Sequence, residues 1–154
     1  MCYSEFMTAT AVSTPKLDEQ ICFALHSASR ALTARYRELL APLGVTYPQY
    51  LVLLVLWESE AITVTELGQR LHLDSGTLSP LLRRLENAGL ISRNRRSDDE
   101  RTVEVTLSPA GDDLRMLAAG IPEQICAATG FEVEQIGSLQ RQVTALAAQV
   151  RGSH

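Results

Sequence analysis

Apolar residues recur at Leu17, Ile21, Leu25, Ala28, Leu32, Tyr36 and Leu39, the three-or-four spacing of a one-sided helix. Pro15 suits the first turn of that helix, and Pro42 with Gly44 ends it near Ala41. Thr46 can cap the next helix, Pro48 to Ser59, whose run YLVLLVLW is apolar all round and reads as core, Trp57 included. Thr63 and Glu66 form a T-x-x-E capping box for a short helix to Leu71. After the tight link His72-Leu73, Asp74 caps a helix that runs to Gly89, with Pro80 near enough its start to be tolerated. Two β-type runs, ISRNRR and TVEVTL, then flank the polar tip SDDE. Ser108-Pro109 open a further helix with Ala110, Leu114, Leu117, Ile121 and Ile125 on one face and a kink at Pro122. The last helix, Val133 to Val150, sets Ile136, Leu139, Val143, Leu146 and Val150 at alternating steps, a narrow seam for another helix. Residues 1–14 are small and polar, without a period, and read as a loose arm.

This order predicts a mainly α fold with a small β-wing. A winged helix-turn-helix occupies 47–107, between helical segments 15–46 and 108–151 whose apolar faces predict a dimer interface. A helix with small hydroxyl residues near its start, followed by an Arg-rich hairpin, suits DNA. The helix enters the major groove and the hairpin reaches the backbone or the minor groove. Caps and turns are the ordinary use of residues like Ser75, Thr77 and Ser79, but three short polar groups at a helix start offer little to a core and suit groove contact. Strand alternation puts Arg93 and Arg95 on one face and Arg96 on the other, so the three cannot meet DNA together. They also fit an ordinary solvated hairpin. Arg101 follows three acids, which makes sense if the acids orient it for insertion.

The chain has 154 residues, a single domain by length, and a net charge of −4. Between Arg83 and Arg101, six arginines face four acids, leaving that segment at +2 and the remainder at −6. A local basic stripe on an acidic body fits a defined nucleic-acid face. No apolar run spans a bilayer, and the first fifteen residues lack the order of a signal peptide, so a cytoplasmic protein without membrane contact is expected. In that compartment Cys2, Cys22 and Cys126 are not a disulfide scaffold.

The segments DSGTLSPLLRRLE, GLISR and DDERTVEVTLSPAG, in this order of elements, resemble the MarR family of bacterial regulators. Cys22 early in the first helix, Tyr36 late in it, and T-Y-P-Q-Y at Thr46 to Tyr50 resemble the organic-hydroperoxide-sensing OhrR group within it. The resemblance implies a homodimeric repressor, not an enzyme, that holds a near-palindromic double-stranded operator and needs no cofactor. It implies that Cys22 is the peroxide-reactive thiol and that Tyr36 and Tyr47 donate hydrogen bonds to its sulfur, across the dimer. Ser75, Thr77, Ser79 and Arg83 would face DNA from the recognition helix, and Asp99 and Arg101 would form the wing tip, with Arg101 in the minor groove. Cys126 stands where two-cysteine members keep a resolving thiol. Its surroundings CAATG carry no strong motif, and one-cysteine members use an external small thiol instead.

A thiol reduces peroxide as the thiolate, becoming a sulfenic acid. Two tyrosine hydroxyls favour the charged sulfur. A helix starting near Pro15 places Cys22 two turns in, too far for the helix dipole to add much. Phe23, Leu25 and the second helix would line an apolar site suited to alkyl peroxides. Three other readings stay open. The sensor could be a cleft for a phenolic ligand, with Cys22 a small buried bystander. A thiol peroxidase is opposed by LDEQICF, which lacks the P-x-x-x-T-x-x-C pattern of that class. A purely structural helical dimer is the third. Cys22 and His26 share a helix face and could bind zinc, but only with help from His72, Cys126 or Asp18.

Overall fold

The helices form where caps and apolar periods coincide. In the computed structural model, which describes residues 14–99 and 101–153, α1 is Ile21–Leu40, α2 Tyr47–Glu58, α3 Val64–Leu71 and α4 Ser75–Asn87. β2 (Ile91–Arg95) and β3 (Val103–Leu107) form the hairpin, with β1 (Ile62–Thr63) ahead of α3, and α5 (Pro109–Ala118), α6 (Ile121–Thr129) and α7 (Val133–Gly152) follow. The arm expected over 1–14, apart from Thr14, lies outside the described residues, as do Cys2 and Glu100.

Local chemistry fixes most boundaries. The Thr46 hydroxyl accepts from Gln49 N while Gln49 Oε1 accepts from Thr46 N, a complete capping box for α2. Thr63 and Glu66 repeat the device on α3, and Asp74 accepts from Thr77 N to start α4. His72, between α3 and α4, takes the left-handed conformation at φ 53° and closes the helix-turn-helix.

Three expectations are corrected. The first helix begins at Ile21, not near Pro15, because 16–20 hold one apolar side chain, the exposed Leu17, and form only a 3-10 turn closed by an extended Gln20. The helix after the wing is two helices, broken at Ala119-Gly120, and Pro122 stands in the first turn of α6, where its missing N–H costs nothing. Leu117, placed on the buried face of that segment, is exposed, and Ala118 is buried instead. The hairpin also has a third strand: β1 pairs antiparallel with β3, Ile62 opposite Val105, giving the order β1-β3-β2.

The described residues fall into two compact units, one up to Leu32 and one from Thr33 onward. In the first, none of residues 14–32 is buried. The second holds the core, in which Val52, Leu53 and Leu56 of α2 and Leu78, Leu82 and Leu85 of α4 are fully enclosed with Leu40, Leu67 and Val105. No residue of α7 is buried, and its seam residues Leu139, Leu146 and Val150 are 47%, 41% and 59% exposed.

The hairpin meets α5 at a close approach. Ser108 N donates to Leu90 O at 3.0 Å, Ser108 Oγ donates to Gly89 O at 2.6 Å, and Gly111 N donates to Ser108 Oγ at 3.0 Å. A Cβ on Gly111 would lie 2.0 Å from the Leu90 carbonyl oxygen, so only glycine fits without moving the backbone. Gly111→Ala is therefore expected to cost about 2–3 kcal/mol, lowering the thermal midpoint by roughly 5–10 °C. Thermal unfolding followed by circular dichroism checks this, and an unchanged midpoint would mean that the junction relaxes freely.

Candidate functional site

Two groups of residues from the sequence reading acquire geometry here, a nucleic-acid face and a cluster of phenols. The face is set by burial. Leu78, Leu81, Leu82 and Leu85 point α4 into the core, and a helical period of 3.6 then turns Gly76, Pro80, Arg83 and Asn87 directly outward. Ser75 and Ser79 flank that strip on one side, and Thr77 and Arg84 on the other; all are exposed. Thr77 is partly committed, since its Oγ1 donates to Asp74 Oδ2 at 3.0 Å. The sequence reading found the hydroxyls and Arg83 but not Gly76, Pro80 or Asn87, which become visible only once the leucine face is known.

On the wing, each arginine has a distinct fate. Arg93 is taken up by Glu86 of α4, with Nη2 and Nε 2.6 and 3.1 Å from Oε2. Arg96 grips Asp98 through two hydrogen bonds of 2.9 and 2.8 Å and lies 3.6 Å from Glu104. Arg95 and Arg101 are exposed, and no carboxylate among the described residues pairs with either. Asp99 shapes the tip: Oδ1 accepts from Arg101 N at 3.0 Å, Oδ2 accepts from Thr102 Oγ1 at 2.8 Å, and its carbonyl accepts from Thr102 N. One of the three acids thus holds the Arg101 backbone and leaves the guanidinium unengaged by it. Between α3, α4 and the wing runs an open groove of about 670 Å³ whose lining includes Ser79, Arg93, Arg96 and Arg101.

Tyr36, near the end of α1, stacks on Tyr47, the first residue of α2, with ring centroids 4.5 Å apart. Tyr50 extends the row, 5.9 Å from Tyr36 and 6.0 Å edge-on to Trp57, whose Nε1 donates to Gly111 O at 3.0 Å. Tyr50 closes the T-Y-P-Q-Y segment, and its three-residue step from Tyr47 along a helix is the signal that joins it to the cluster. Burial, reinforced by Tyr47 and Tyr50, pushes the Tyr36 hydroxyl up to about 12, and burial also raises Tyr47 and Tyr50. All three therefore stay protonated, as donors must, across the neutral range. Neither Tyr36 nor Tyr47 donates to another described group of its own chain.

Cys22 is exposed and is the second residue of α1, which corrects the expectation that it lies two turns inside a helix. The first turn is where backbone N–H groups lack helical partners and negative charge is favoured. Cys126 sits on α6, half-buried, its carbonyl accepting from Thr129 Oγ1. Among the described residues no cluster of three or more His, Cys, Asp or Glu side chains can hold a metal ion, and no single helix is long and apolar enough to cross a membrane.

The sequence profile of the MarR family matches residues 45–103, the stretch from α2 through the wing. The organic hydroperoxide resistance transcriptional regulator of Bacillus subtilis (strain 168) is 50% identical over 110 residues, 71% of this chain and 75% of that one. The regulator TtmR of Methylorubrum extorquens (strain PA1) is 46% identical over 130 residues, 84% of this chain and 67% of that one. Among solved structures, reduced AbfR bound to DNA, from Staphylococcus epidermidis, superposes with a TM-score of 0.73 at 30% identity, over 87% of this chain and 94% of that one.

The phenol cluster gives alkaline stability a definite sign. Tyr36 has its folded pKa raised from about 10 to about 12, so the stability it contributes is fully present below pH 10 and is lost as pH rises through about 12. Tyrosinate absorbance should show Tyr36 ionising last. Tyr36→Phe should unfold at a higher pH than wild type; alkaline unfolding identical in both would show that Tyr36 is not held in its neutral form.

Proposed function

The chain belongs to the MarR family of DNA-binding transcriptional regulators, and from that premise we propose that it is a cytoplasmic, homodimeric repressor that releases its operator when organic hydroperoxide oxidises Cys22. The observation that carries the reading is the Tyr36–Tyr47 pair. Two phenols from different helices meet at 4.5 Å, and both stay protonated. They can converge on one acceptor, and a thiolate is the acceptor the chemistry asks for. Cys22 and Tyr36 stand fourteen residues apart in the sequence, and in this reading the sulfur that Tyr36 serves belongs to a second chain. The exposed seam of α7 and the unburied residues 14–32 offer the apolar surface that such a dimer would cover. The Bacillus subtilis relative, named for organic hydroperoxide resistance, supports the choice of inducer.

The chemistry balances without a cofactor. The Cys22 thiolate attacks one peroxide oxygen, the O–O bond breaks, and the departing alkoxide takes a proton to become an alcohol, leaving a sulfenic acid. A second thiol, from Cys126 of either chain or a small molecule, then displaces hydroxide, which leaves as water, and forms a disulfide. The tyrosines lose their anionic acceptor at the first step. Taking a dimer from mostly bound to mostly released needs about 5 kcal/mol of bias, which a covalent crosslink supplies more readily than one hydroxyl. On the DNA side, Ser75, Thr77, Ser79 and Arg83 face the major groove, and Asp99 holds Arg101 toward the minor groove.

Binding of purified protein to a fragment of its own promoter, with and without cumene hydroperoxide, tests the proposal. Wild type should release the fragment and Cys22→Ser should retain it, while Tyr36→Phe should need about tenfold more peroxide, since losing one hydrogen bond to the charged sulfur is worth about 1.5 kcal/mol. A Cys22→Ser protein that still lets go would sink the cysteine switch. Retention by both proteins would keep DNA binding and move the sensor to a non-covalent ligand.

A further inference from the structure

Glu86 stands in the last turn of α4, where the helix dipole disfavours a carboxylate. A helix gains nothing locally from an acid there, so its purpose lies outside the helix. That purpose is Arg93. Besides the two guanidinium contacts to Oε2, the Arg93 backbone N donates to Oε1 at 3.3 Å, so one carboxylate holds both the side chain and the main chain of β2. The pair is partly shielded, with side chains 29% and 35% exposed, and Arg93 holds the Glu86 carboxyl below the usual carboxylate range. It spans the bend Ala88–Gly89–Leu90, where Gly89 turns at φ 73°. It is the side-chain tie between the recognition helix and the strand that leads to the wing tip.

We infer that Glu86 and Arg93 are positioning residues for DNA recognition, fixing the wing at a set angle to α4 so that both reach the duplex in register. The lever explains why an ion pair at the base matters at the tip. Arg93 pairs with Val105, and the hairpin continues through Arg95 opposite Val103 to the Arg96 N–Thr102 O bond. From Arg93 to the turn is about four residues, or about 13 Å of strand. A tilt of about 10° at Arg93 moves the tip by about 2 Å, more than a hydrogen bond tolerates. The same tilt changes the groove that Ser79 of α4 and Arg101 of the wing both line. Arg93 thus acts through Arg101 and α4 and is not itself a phosphate ligand. The inference needs only DNA binding and stands or falls separately from the cysteine switch.

The test compares wild type, Glu86→Gln, Arg93→Gln, the double variant and the charge-reversed pair Glu86→Arg with Arg93→Glu. Each is titrated onto the promoter fragment at several salt concentrations, after circular dichroism has established cooperative unfolding. Each single variant should bind about tenfold more weakly, and the double no worse than either, because the residues act as one unit. The salt dependence should change alike in Glu86→Gln and Arg93→Gln, since both act through the same wing contacts. Hydroxyl-radical protection beside the half-site should fade while guanine protection in the major groove persists, and the reversed pair should regain most of the affinity. The inference is overturned if Glu86→Gln binds as tightly as wild type or tighter while Arg93→Gln loses about one unit of salt slope, the mark of a phosphate contact. It is equally overturned if the single losses add, or if the protected positions fade together. Should the single variants unfold, the reversed pair decides: a folded protein with wild-type footprint supports the tie, and one without wing protection refutes it.

Discussion

The recognition helix is aimed by what it buries. Leu78, Leu81, Leu82 and Leu85 commit one side of α4 to the core formed with α2, at about 1.5–3 kcal/mol for each enclosed leucine. No hydroxyl or guanidinium on the opposite side can compete with that total. Rotation of α4 is thus set by residues that never meet DNA, and Gly76, Pro80 and Arg83 face outward as a consequence. The wing inherits the same frame. It leaves α4 by a three-residue bend and is tied back by Glu86, while the bend itself is pinned against α5 by the Leu90–Gly111 approach. Changing the packing of four leucines would re-aim both reading elements at once.

What the sequence made legible is what short-range chemistry decides. The caps at Thr46, Thr63, Asp74 and Ser108 and the apolar periods after them place α2 through α4, the start of α5 and the hairpin to within a residue or two. The misses share a cause. The helix expected from Pro15 follows a polar stretch whose single leucine finds nothing to bury, so an apolar period continued on paper ends at Gln20 in space. Gly120 breaks the segment ahead of Pro122 because proline is at ease in a first turn and not inside a helix. β1 is two residues long and exists only because Val105 of β3 lies beside Ile62. Of the site, Tyr36, Tyr47, Asp99 and Arg101 were legible as residues. The pairing of the phenols, the addition of Tyr50 and the capture of Arg93 by Glu86 depend on distances no local pattern encodes.

The phenol cluster and the base of the wing share one element. α2 begins with Tyr47 and Tyr50 beside Tyr36 and carries Trp57 near its end, where the indole N–H donates to the Gly111 carbonyl. Between those ends its side chains Val52, Leu53 and Leu56 are fully enclosed. A close-packed interior does not absorb displacement locally. Any movement of the phenols would be passed to the neighbours of α2, among them the junction on which the hairpin rests. The proposed sensor at one end of α2 would then need no separate linkage to the reading element at the other.

Charge explains how an acidic protein can present a basic face to DNA. Arg93 and Arg96 spend their charge inside the chain, on Glu86 and on Asp98 with Glu104. The face keeps Arg83, Arg84, Arg95 and Arg101, none with a carboxylate partner among the described residues. If all four met phosphates, the salt slope would be about 3.6, against about 10 for a strong dimeric repressor. Neutralising two arginines fixes geometry at the expense of electrostatic affinity. In the proposed dimer, affinity would come from a second copy on a second half-site, so that any change in the spacing of the two modules would weaken binding far more than it disturbs either module alone.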